Sequence, residues 1–287
     1  MSNLSVMILC GRSPRHLYVA NRLCEGVRPV AIVQETGTQW SAKKVLRTLR
    51  PAALWRKAWR KVRDRRRYAG GGEARYFFGG VPPTLLRQDL LTEVPHINHP
   101  DVVALAEQLH PDVIAVFGTS LIKGRLLTSA KLGIFNLHGG LSPHYRGADC
   151  TFWALHNGEP DQVGCTLHAI NEGIDTGTLI AHICPEVRQG DDELHLFWRA
   201  VRDSADVYVQ MLERLEKGER MGEPQKEKGR LYQVKDRSWQ VEQKLAERMR
   251  RGLLRGLHLP PRVRWFGVQG EDAPAPQQYA HRAEREA

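Results

Sequence analysis

The sequence predicts an α/β protein in which a mostly parallel β-sheet is covered by helices on both faces. Short, continuous apolar runs, typical of strands that are buried on both faces, alternate with segments whose apolar residues lie three or four positions apart, typical of helices. This alternation is characteristic of strand–helix–strand units with right-handed crossovers. In such sheets ligands bind at the carboxyl ends of the strands, so functional residues are expected there.

The first unit lies near the start of the chain. Ser5–Cys10 is an apolar run that ends at Gly11, residues 14–24 have helical apolar spacing, and residues 29–33 form a second apolar run. The pattern returns at Val102, where a helical stripe begins. That stripe is followed by two buried-type strands, Val113–Phe117 and 134–137. Together these segments account for most of the predicted parallel sheet.

Two further strands and a long helix follow. Residues 164–170 and Leu179–Cys184 have the pattern of strands, and Asp191 or Asp192 is placed to cap the helix. The apolar residues of that helix recur in steps of three or four, at Leu194, Phe197, Val201, Ala205, Tyr208, Leu212 and Leu215. This regular stripe predicts a helix with one face against the sheet.

The chain divides unevenly. We expect residues 1–218 to form the main domain, with a basic helical insertion at 41–80, and residues 219–287 to form a small, helical C-terminal extension. Gly222, Pro224 and Gly229 interrupt the start of that extension, and residues 239–257 are charged with helical character. The last twenty or so residues are rich in Pro and Ala and are expected to be disordered.

The basic character of the chain is local. The formal net charge is +10, but residues 41–67 contain twelve Lys or Arg and one Asp, so this segment alone carries +11 and the rest sums to −1. After Pro51 the apolar residues line one side of a basic amphipathic helix, at Leu54, Trp55, Ala58, Trp59 and Val62. Either the two tryptophans pack against the domain or the helix meets an anionic partner.

Composition excludes several other classes of protein. A hydrophobic fraction of 41% and a mean hydropathy of −0.44 describe a globular chain rather than a fibrous or disordered one. No run approaches the roughly 18 apolar residues of a membrane helix, so we expect a cytoplasmic protein with no transmembrane segment. The cysteines show neither a C-x-x-C pair nor zinc spacing, which favours reduced thiols and no metal site.

The polar residues suited to chemistry are concentrated between Asn136 and Gly177. Asn136 and His138 lie two positions apart at the end of a predicted strand, on the same side of it, and lead into a turn rich in Gly and Pro. A second polar loop, residues 171–177, contains Asp175. If the two loops meet, an amide, an imidazole and a carboxylate converge.

Those three side chains suit acyl transfer. An amide N–H can stabilise an oxyanion, a histidine can move a proton near neutral pH, and a carboxylate can orient the imidazole and stabilise its charged form. No serine or cysteine lies in a G-x-S-x-G turn, so a covalent acyl-enzyme is not indicated. Direct attack by an amine on a bound acyl donor fits these residues better.

The same block resembles the folate-dependent formyltransferases, the family of the glycinamide ribonucleotide, methionyl-tRNA and nucleotide-sugar formyltransferases. Their signature joins an N-x-H segment to S-L-L-P-x-Y-R-G and is followed by G-x-x-x-H and a D-x-G loop. The matching positions are Asn136, His138, Pro143, Tyr145, Arg146, Gly147, Gly164, His168, Asp175 and Gly177. Two positions depart from the signature, since Gly140 and Ser142 stand where the family usually has Ser and its second Leu.

The resemblance implies a Rossmann-like formyltransferase fold and a catalytic domain over residues 1–218. It implies that Asn136 and His138 polarise the formyl group and handle the proton, with Asp175 supporting the histidine. The formyl donor would be 10-formyltetrahydrofolate, without a metal. Backbone of two loops would hold its pterin, at Gly118, Thr119, Ser120, Leu121, Ile122, Asn171, Glu172, Gly173 and Ile174.

The sequence identifies the amine acceptor less closely than the reaction type. Its contacts are expected at Gly139, Gly140, Tyr145 and Arg146, and the favoured class is a small molecule, such as an amino sugar nucleotide or an amino acid derivative. Residues 41–67 could meet a phosphate-bearing acceptor or another anionic partner. The basic segment is also consistent with a methionyl-tRNA formyltransferase-like enzyme that uses it to bind tRNA. The segment after Gly218, however, lacks the strand spacing of the C-terminal barrel of such enzymes.

Two other functions stay open. A formyltetrahydrofolate hydrolase would use the same three residues and pass the formyl group to water. An inactive module that binds RNA or anionic surfaces would not need Asn136, His138 and Asp175 together. The oligomeric state is undetermined, a homodimer included.

Overall fold

The computed structural model describes residues 3–37 and 51–268. Twelve strands are found in these residues: β1 Ser5–Cys10, β2 Arg28–Glu35, β3 Leu91–Val94, β4 Val113–Phe117, β5 Gly133–His138, β6 Tyr145–Gly147, β7 Cys165–Ala169, β8 Leu179–Cys184, β9 Val187–Arg188, β10 Arg230–Tyr232, β11 His258–Leu259 and β12 Arg262–Trp265. Residues 41–50 of the predicted basic insertion and the predicted disordered tail from residue 269 lie outside the described residues.

Seven α-helices connect the strands in the described ranges: α1 Pro14–Gly26, α2 Pro51–Arg67, α3 Gly72–Phe78, α4 Pro100–Leu109, α5 Cys150–Asn157, α6 Glu193–Glu216 and α7 Trp239–Arg250. Short 3₁₀ turns lie at Ala69–Gly71, Gln88–Leu90, Gly124–Thr128 and Pro160–Gln162. The predicted cap of the long helix α6 is confirmed, because Asp192 accepts a hydrogen bond from the backbone N–H of His195 at 2.9 Å. Among the helices described, none is long and apolar enough to cross a bilayer.

Eight strands form one sheet in the order β12-β8-β7-β5-β4-β1-β2-β3. The five strands from β5 to β3 in this order are parallel, whereas β7, β8 and β12 run antiparallel to their neighbours. The predicted α/β architecture with a mostly parallel sheet and helices is confirmed. The two strands predicted over residues 164–170 and Leu179–Cys184 are present as β7 and β8, and both run antiparallel to their neighbours, a direction that the sequence pattern did not predict.

The sheet is buried on both faces. One core lies between the sheet and helices α1 and α6, where Ile8, Leu23, Val201 and Tyr208 are almost inaccessible to solvent. The other core lies against α4 and includes Leu9, Val102 and Ala106. This double coverage explains why the central strands read as continuous apolar runs in the sequence.

The described residues after 218 pack against the rest of the protein. β12 forms the edge of the main sheet beside β8, β10 pairs with β6, and β11 pairs with β9. The predicted helical character holds for α7, but these three strands were not predicted. A third core joins α5 to this segment through Phe152, Trp153, Tyr232 and Leu245.

Candidate active site

Strand β5 presents two polar side chains on one face. Phe135 and Leu137 pack in the core beneath α1 and α6. Side chains alternate along a strand, so Asn136 and His138 point to the opposite face. Asn136 is half-buried and His138 is buried. The amide and the imidazole are therefore neighbours on a rigid strand.

Strand β7 adds a second histidine to this face. In the antiparallel β5–β7 ladder His168 lies directly opposite Asn136. His168 Nδ1 lies 2.8 Å from the carbonyl oxygen of Ala169, a group that can only accept a hydrogen bond, so Nδ1 carries the proton in the neutral ring. Nε2 then accepts from Asn136 Nδ2–H at 3.1 Å. His168 thereby orients the amide of Asn136 and leaves its second N–H available.

The loop after β7 brings a carboxylate to both histidines. Asp175 Oδ2 lies 3.5 Å from His138 Nδ1, and Oδ1 lies 3.6 Å from His168 Nε2. The structure thus brings Asn136, His138 and Asp175 together, as the sequence predicts. Cys150 also approaches, with Sγ 3.6 Å from His138 Nε2, and burial raises the pKa of this thiol well above its ordinary range.

Burial and charge set the ionisation of the two central groups. Burial lowers the pKa of His138, while the attraction of Asp175 opposes that shift. Burial would raise the pKa of Asp175, but attraction to His138, the contact with His168 and a backbone hydrogen bond together lower it to about 2. At neutral pH the site therefore holds a neutral imidazole beside an ionised carboxylate.

The tautomer of His138 follows from its other contact. Nε2 lies 3.0 Å from the carbonyl oxygen of Tyr145, which can only accept, so Nε2 carries the proton. Nδ1 is then the basic nitrogen, and it faces Asp175. A proton taken up at Nδ1 would create a positive charge beside an existing negative one.

Asp175 is held by two neighbouring segments. Its Oδ2 accepts from the backbone N–H of Gly147 at 2.9 Å. Its carbonyl oxygen accepts from Gln225 Nε2 at 2.9 Å, and the same Nε2 donates to the carbonyl oxygen of Gly177 at 2.7 Å. Gly147 has a φ of 88°, and a Cβ at this position would lie 2.2 Å from the carbonyl oxygen of Tyr232, so only glycine fits here.

Residues 78–212 match the formyl transferase family model. This range includes the four polar side chains of the site, Asn136, His138, His168 and Asp175. This part of the chain is similar to the formyl transferases. Methionyl-tRNA formyltransferases are among its sequence relatives. The enzyme of Chlorobium chlorochromatii is 34% identical over 123 residues, which cover 43% of this chain and 39% of the relative. That of Caldanaerobacter subterraneus is 30% identical over 136 residues, covering 47% and 44%. The matched part spans less than half the length of these relatives.

Solved structures share the fold of this chain. A sugar N-formyltransferase from a Shewanella species superposes with a TM-score of 0.52 at 17% identity, covering 84% of this chain and 86% of that one. A phosphoribosylglycinamide formyltransferase from Anaplasma phagocytophilum gives 0.51 at 15% identity, covering 81% and 100%. At these identities the likeness concerns the fold alone.

The loops predicted to hold the pterin lie at the ends of β4 and β7. In the first, Leu121 is 37% exposed, whereas Ile122 is buried and could reach a ligand only through its backbone. In the second, Ile174 is 42% exposed, and Asn171 Oδ1 accepts from the Gly173 N–H and the Thr176 hydroxyl, which shapes the loop. The two exposed apolar side chains, Leu121 and Ile174, are compatible with contact to a flat ring. The remaining predicted contacts stay predictions, at Gly118, Thr119, Ser120 and Glu172.

The residues predicted to contact the acceptor are mostly engaged in packing. Tyr145 is 2% exposed, and its hydroxyl donates to Glu159 Oε2 at 2.5 Å. A Cβ at Gly139 or Gly140 would collide with Phe197 or Cys150, respectively. Arg146 is different, because it is 7% exposed and its Nε has no hydrogen-bond partner among the described residues. Acceptor contact through these four residues stays a prediction, and Arg146 is the member with unused hydrogen-bonding capacity.

The sequence did not assign roles to several residues that shape this site. His168 belongs to the matched motif, but its role depends on standing opposite Asn136. Glu35 links two loops, accepting from the Ile97 N–H at 3.1 Å and from the Ser120 N–H at 2.5 Å. Gln225 lies far along the chain, and no local pattern marks it. Among the residues described, no group of three or more His, Cys, Asp or Glu could hold a metal ion.

Proposed function

We propose that this protein is an N-formyltransferase that moves the formyl group of 10-formyltetrahydrofolate to a primary amine of a small molecule. The observation that carries the proposal is the juxtaposition of an oriented amide, a neutral imidazole and an ionised carboxylate at Asn136, His138 and Asp175. The family of residues 78–212 supports the same reaction type. A cytoplasmic location and a biosynthetic role are part of this proposal.

The roles of the three residues follow from their contacts. The second N–H of Asn136 would donate to the formyl oxygen as negative charge develops on it during attack by the amine. His138 Nδ1 would take the proton that the amine loses as the new N–C bond forms. Asp175 would stabilise the resulting imidazolium at 3.5 Å. The bond between the formyl carbon and the donor nitrogen then breaks, and the proton passes from His138 to that nitrogen.

The donor would be held by the two loops at the ends of β4 and β7. Leu121 and Ile174 offer exposed apolar contacts to a pterin, and loop backbone offers hydrogen bonds. The donor itself supplies an activated formyl group. No metal is needed in this arrangement, since Asn136 stabilises the developing charge.

A small acceptor is favoured over tRNA by the segment after residue 218. Its described part adds β10 and β12 to the catalytic domain and reaches the Asp175 loop through Gln225, instead of forming a separate barrel. We therefore propose a division of labour in which residues 1–218 catalyse and residues 219–287 support the catalytic loops. Arg146, buried with an unpartnered Nε, supports an acceptor that carries a phosphate or carboxylate, such as an amino sugar nucleotide or amino acid derivative.

A methionyl-tRNA acceptor is the second candidate. It is favoured by the names of the two sequence relatives and by the cationic helix α2. The relatives match over less than half of their length, and α2 would need to reach the acceptor end of the tRNA. The two acceptors differ in their response to salt, because only tRNA binding depends on many phosphate contacts.

The test supplies purified protein with 10-formyltetrahydrofolate and, separately, amino sugar nucleotides, amino acid derivatives and methionyl-tRNA. We expect tetrahydrofolate to be released with a small amine and a product heavier by one formyl group, and we expect His138→Ala and Asp175→Ala to abolish the release. Release of formate without any amine would instead identify a hydrolase. Unchanged turnover in both variants would disprove the site, and turnover with methionyl-tRNA alone would establish the second candidate.

A further inference from the structure

The basic helix α2 is attached to the protein through its charged side. Arg63 is 7% exposed, and its Nη1 lies 3.7 Å from Glu242 Oε1 in α7. Arg67 Nη2 lies 2.6 Å from Glu193 Oε1 in the first turn of α6. These two arginines are four positions apart and therefore share a face. The helix is docked by these ion pairs and by half-buried Trp59, whereas Trp55 is exposed, so only one of the two tryptophans packs against the domain as the sequence-based alternative expected.

The opposite face of α2 is apolar and open to solvent. Trp55 is 73% exposed, Leu54 is 48% exposed and Val62 is 45% exposed, with Ala58 exposed between them. At about 100° per residue these four side chains fall within an arc of about 100°, and Arg63 lies on the far side. A tryptophan, a leucine and a valine left together in water indicate a surface that is covered by a partner.

Cations border this apolar stripe. Lys61, Arg65 and Arg66 are all exposed and lie on or beside the stripe in the helical projection. Within Pro51–Arg67 the one acidic residue, Asp64, is turned toward Arg63, with Arg63 Nη2 to Asp64 Oδ1 at 2.8 Å. The exposed side of α2 therefore combines large apolar side chains with uncompensated positive charge.

We propose that this face of α2 binds an anionic phospholipid bilayer, with the helix lying in the plane of the membrane surface. Apolar side chains enter the boundary between headgroups and acyl chains, tryptophan prefers that depth, and lysine and arginine reach anionic headgroups. A nucleic acid would use the cations, but leucine and valine gain nothing from solvated phosphates. The docking of α2 through Arg63 and Arg67 leaves the stripe free for this role. The proposal is independent of the formyl-transfer reaction.

The binding experiment compares vesicles of phosphatidylcholine with vesicles that also contain phosphatidylglycerol. We expect the full chain to sediment with the anionic vesicles only, and to be released by high salt, because surface charges are screened. Tryptophan emission should be quenched by lipids brominated on the acyl chain, and Trp55→Phe should reduce that quenching.

Two variants separate the apolar and the charged contributions. Leu54→Ser combined with Trp55→Ser should weaken binding about tenfold or more, since it removes the inserted side chains. Reversal of Lys61, Arg65 and Arg66 to Glu should weaken it about a hundredfold or more, because each basic residue near an anionic surface contributes roughly fivefold. Matched controls change exposed residues elsewhere: Leu132→Ser for the apolar pair, and Lys217→Glu, Arg220→Glu and Lys226→Glu for the charges.

All variants are expected to keep the melting temperature and the formyl-transfer activity of the parent in solution, so loss of membrane binding is read separately from loss of fold or catalysis. Equal binding of the parent and of the Leu54/Trp55 variant to anionic vesicles would overturn the proposal. Binding of tRNA that requires Lys61, Arg65 and Arg66, together with no binding to vesicles, would also overturn it and would identify a nucleic-acid surface.

Discussion

Asn136 and His168 stand opposite each other on two antiparallel strands, and the amide Nδ2 lies 3.1 Å from the imidazole Nε2. The contact orients the amide and uses one of its two N–H groups. If Asn136 stabilises a developing oxyanion as proposed, its amide is already held in position before the reaction begins.

The first prediction distinguishes the role of the Asn136 amide from that of His168, which orients it. Asn136→Ala should lower kcat by about 10²–10³-fold, as expected for loss of one oxyanion donor. His168→Ala should lower kcat less, by about tenfold to a hundredfold, because the amide remains but is no longer oriented. His168→Gln, whose side chain can still accept from Asn136, should recover part of the loss. Steady-state kinetics with KM for each substrate checks this, and an unchanged kcat in His168→Ala would contradict it.

The second prediction concerns pH. As the proposed base, His138 can act only when neutral, and burial lowers its pKa below the ordinary 6.5. We therefore expect kcat/KM to fall only as the pH drops below that lowered pKa. Asp175, with a pKa of about 2, stays ionised throughout. Asp175→Asn removes the negative charge that raises the pKa of His138, so the acid limb should move to lower pH. The plateau of kcat should fall by about 10²-fold or more, because the imidazolium loses its counter-charge. A pH–rate profile of both proteins checks the sign, and a shift to higher pH would contradict it.

The third prediction concerns stability. The side chain of Arg237 is fully buried and bonds three carboxylates: Glu242 at 2.6 Å, Asp149 at 2.9 Å and Glu193 at 2.9 Å. Its guanidinium also lies 3.7 Å from the centre of the Phe152 ring. Arg237→Met should lower the free energy of unfolding by about 3 kcal/mol, because all three carboxylates lose their fully buried cation. Glu193 and Glu242 keep a second ion pair, with Arg67 and Arg63 respectively, which limits the loss. Arg22→Met, which removes an exposed pair with Asp206, should change it by about 1 kcal/mol or less. Urea titration compares them, and equal effects would contradict the prediction.

Much of the fold follows from local sequence patterns. Val113–Phe117 and Leu179–Cys184 have the predicted bounds, because strands buried on both faces leave continuous apolar runs. The apolar stripe of α6 likewise follows from its period. β3 was missed because it lies at the sheet edge, where only Val94 among its residues is buried. The direction of β7 could not be predicted, since a buried strand has the same pattern in either orientation.

The site was predictable only in part for a related reason. Asn136, His138 and Asp175 are marked by spacing and by resemblance to a motif. The roles of His168 and Gln225 depend on strand register and on a contact across 50 residues. Helical periodicity also identified the apolar face of α2, but not the ion pairs of Arg63 and Arg67 that turn that face outward.

The last prediction tests whether the segment after residue 218 positions the catalytic loop. Gln225 Nε2 donates to the carbonyl oxygens of Asp175 and Gly177, so Gln225→Ala frees the backbone that carries the proposed catalytic carboxylate. We expect kcat to fall about tenfold, because a small displacement of Asp175 weakens its interaction with His138. Gln225→Glu should be at least as damaging, since a carboxylate cannot donate and repels both carbonyl groups. The exposed Gln243→Ala is the matched control and should leave kcat unchanged. If the Asp175 loop kept its position without Gln225, kcat would not change. Equal kcat values in all three variants would therefore show that the segment has no part in positioning Asp175.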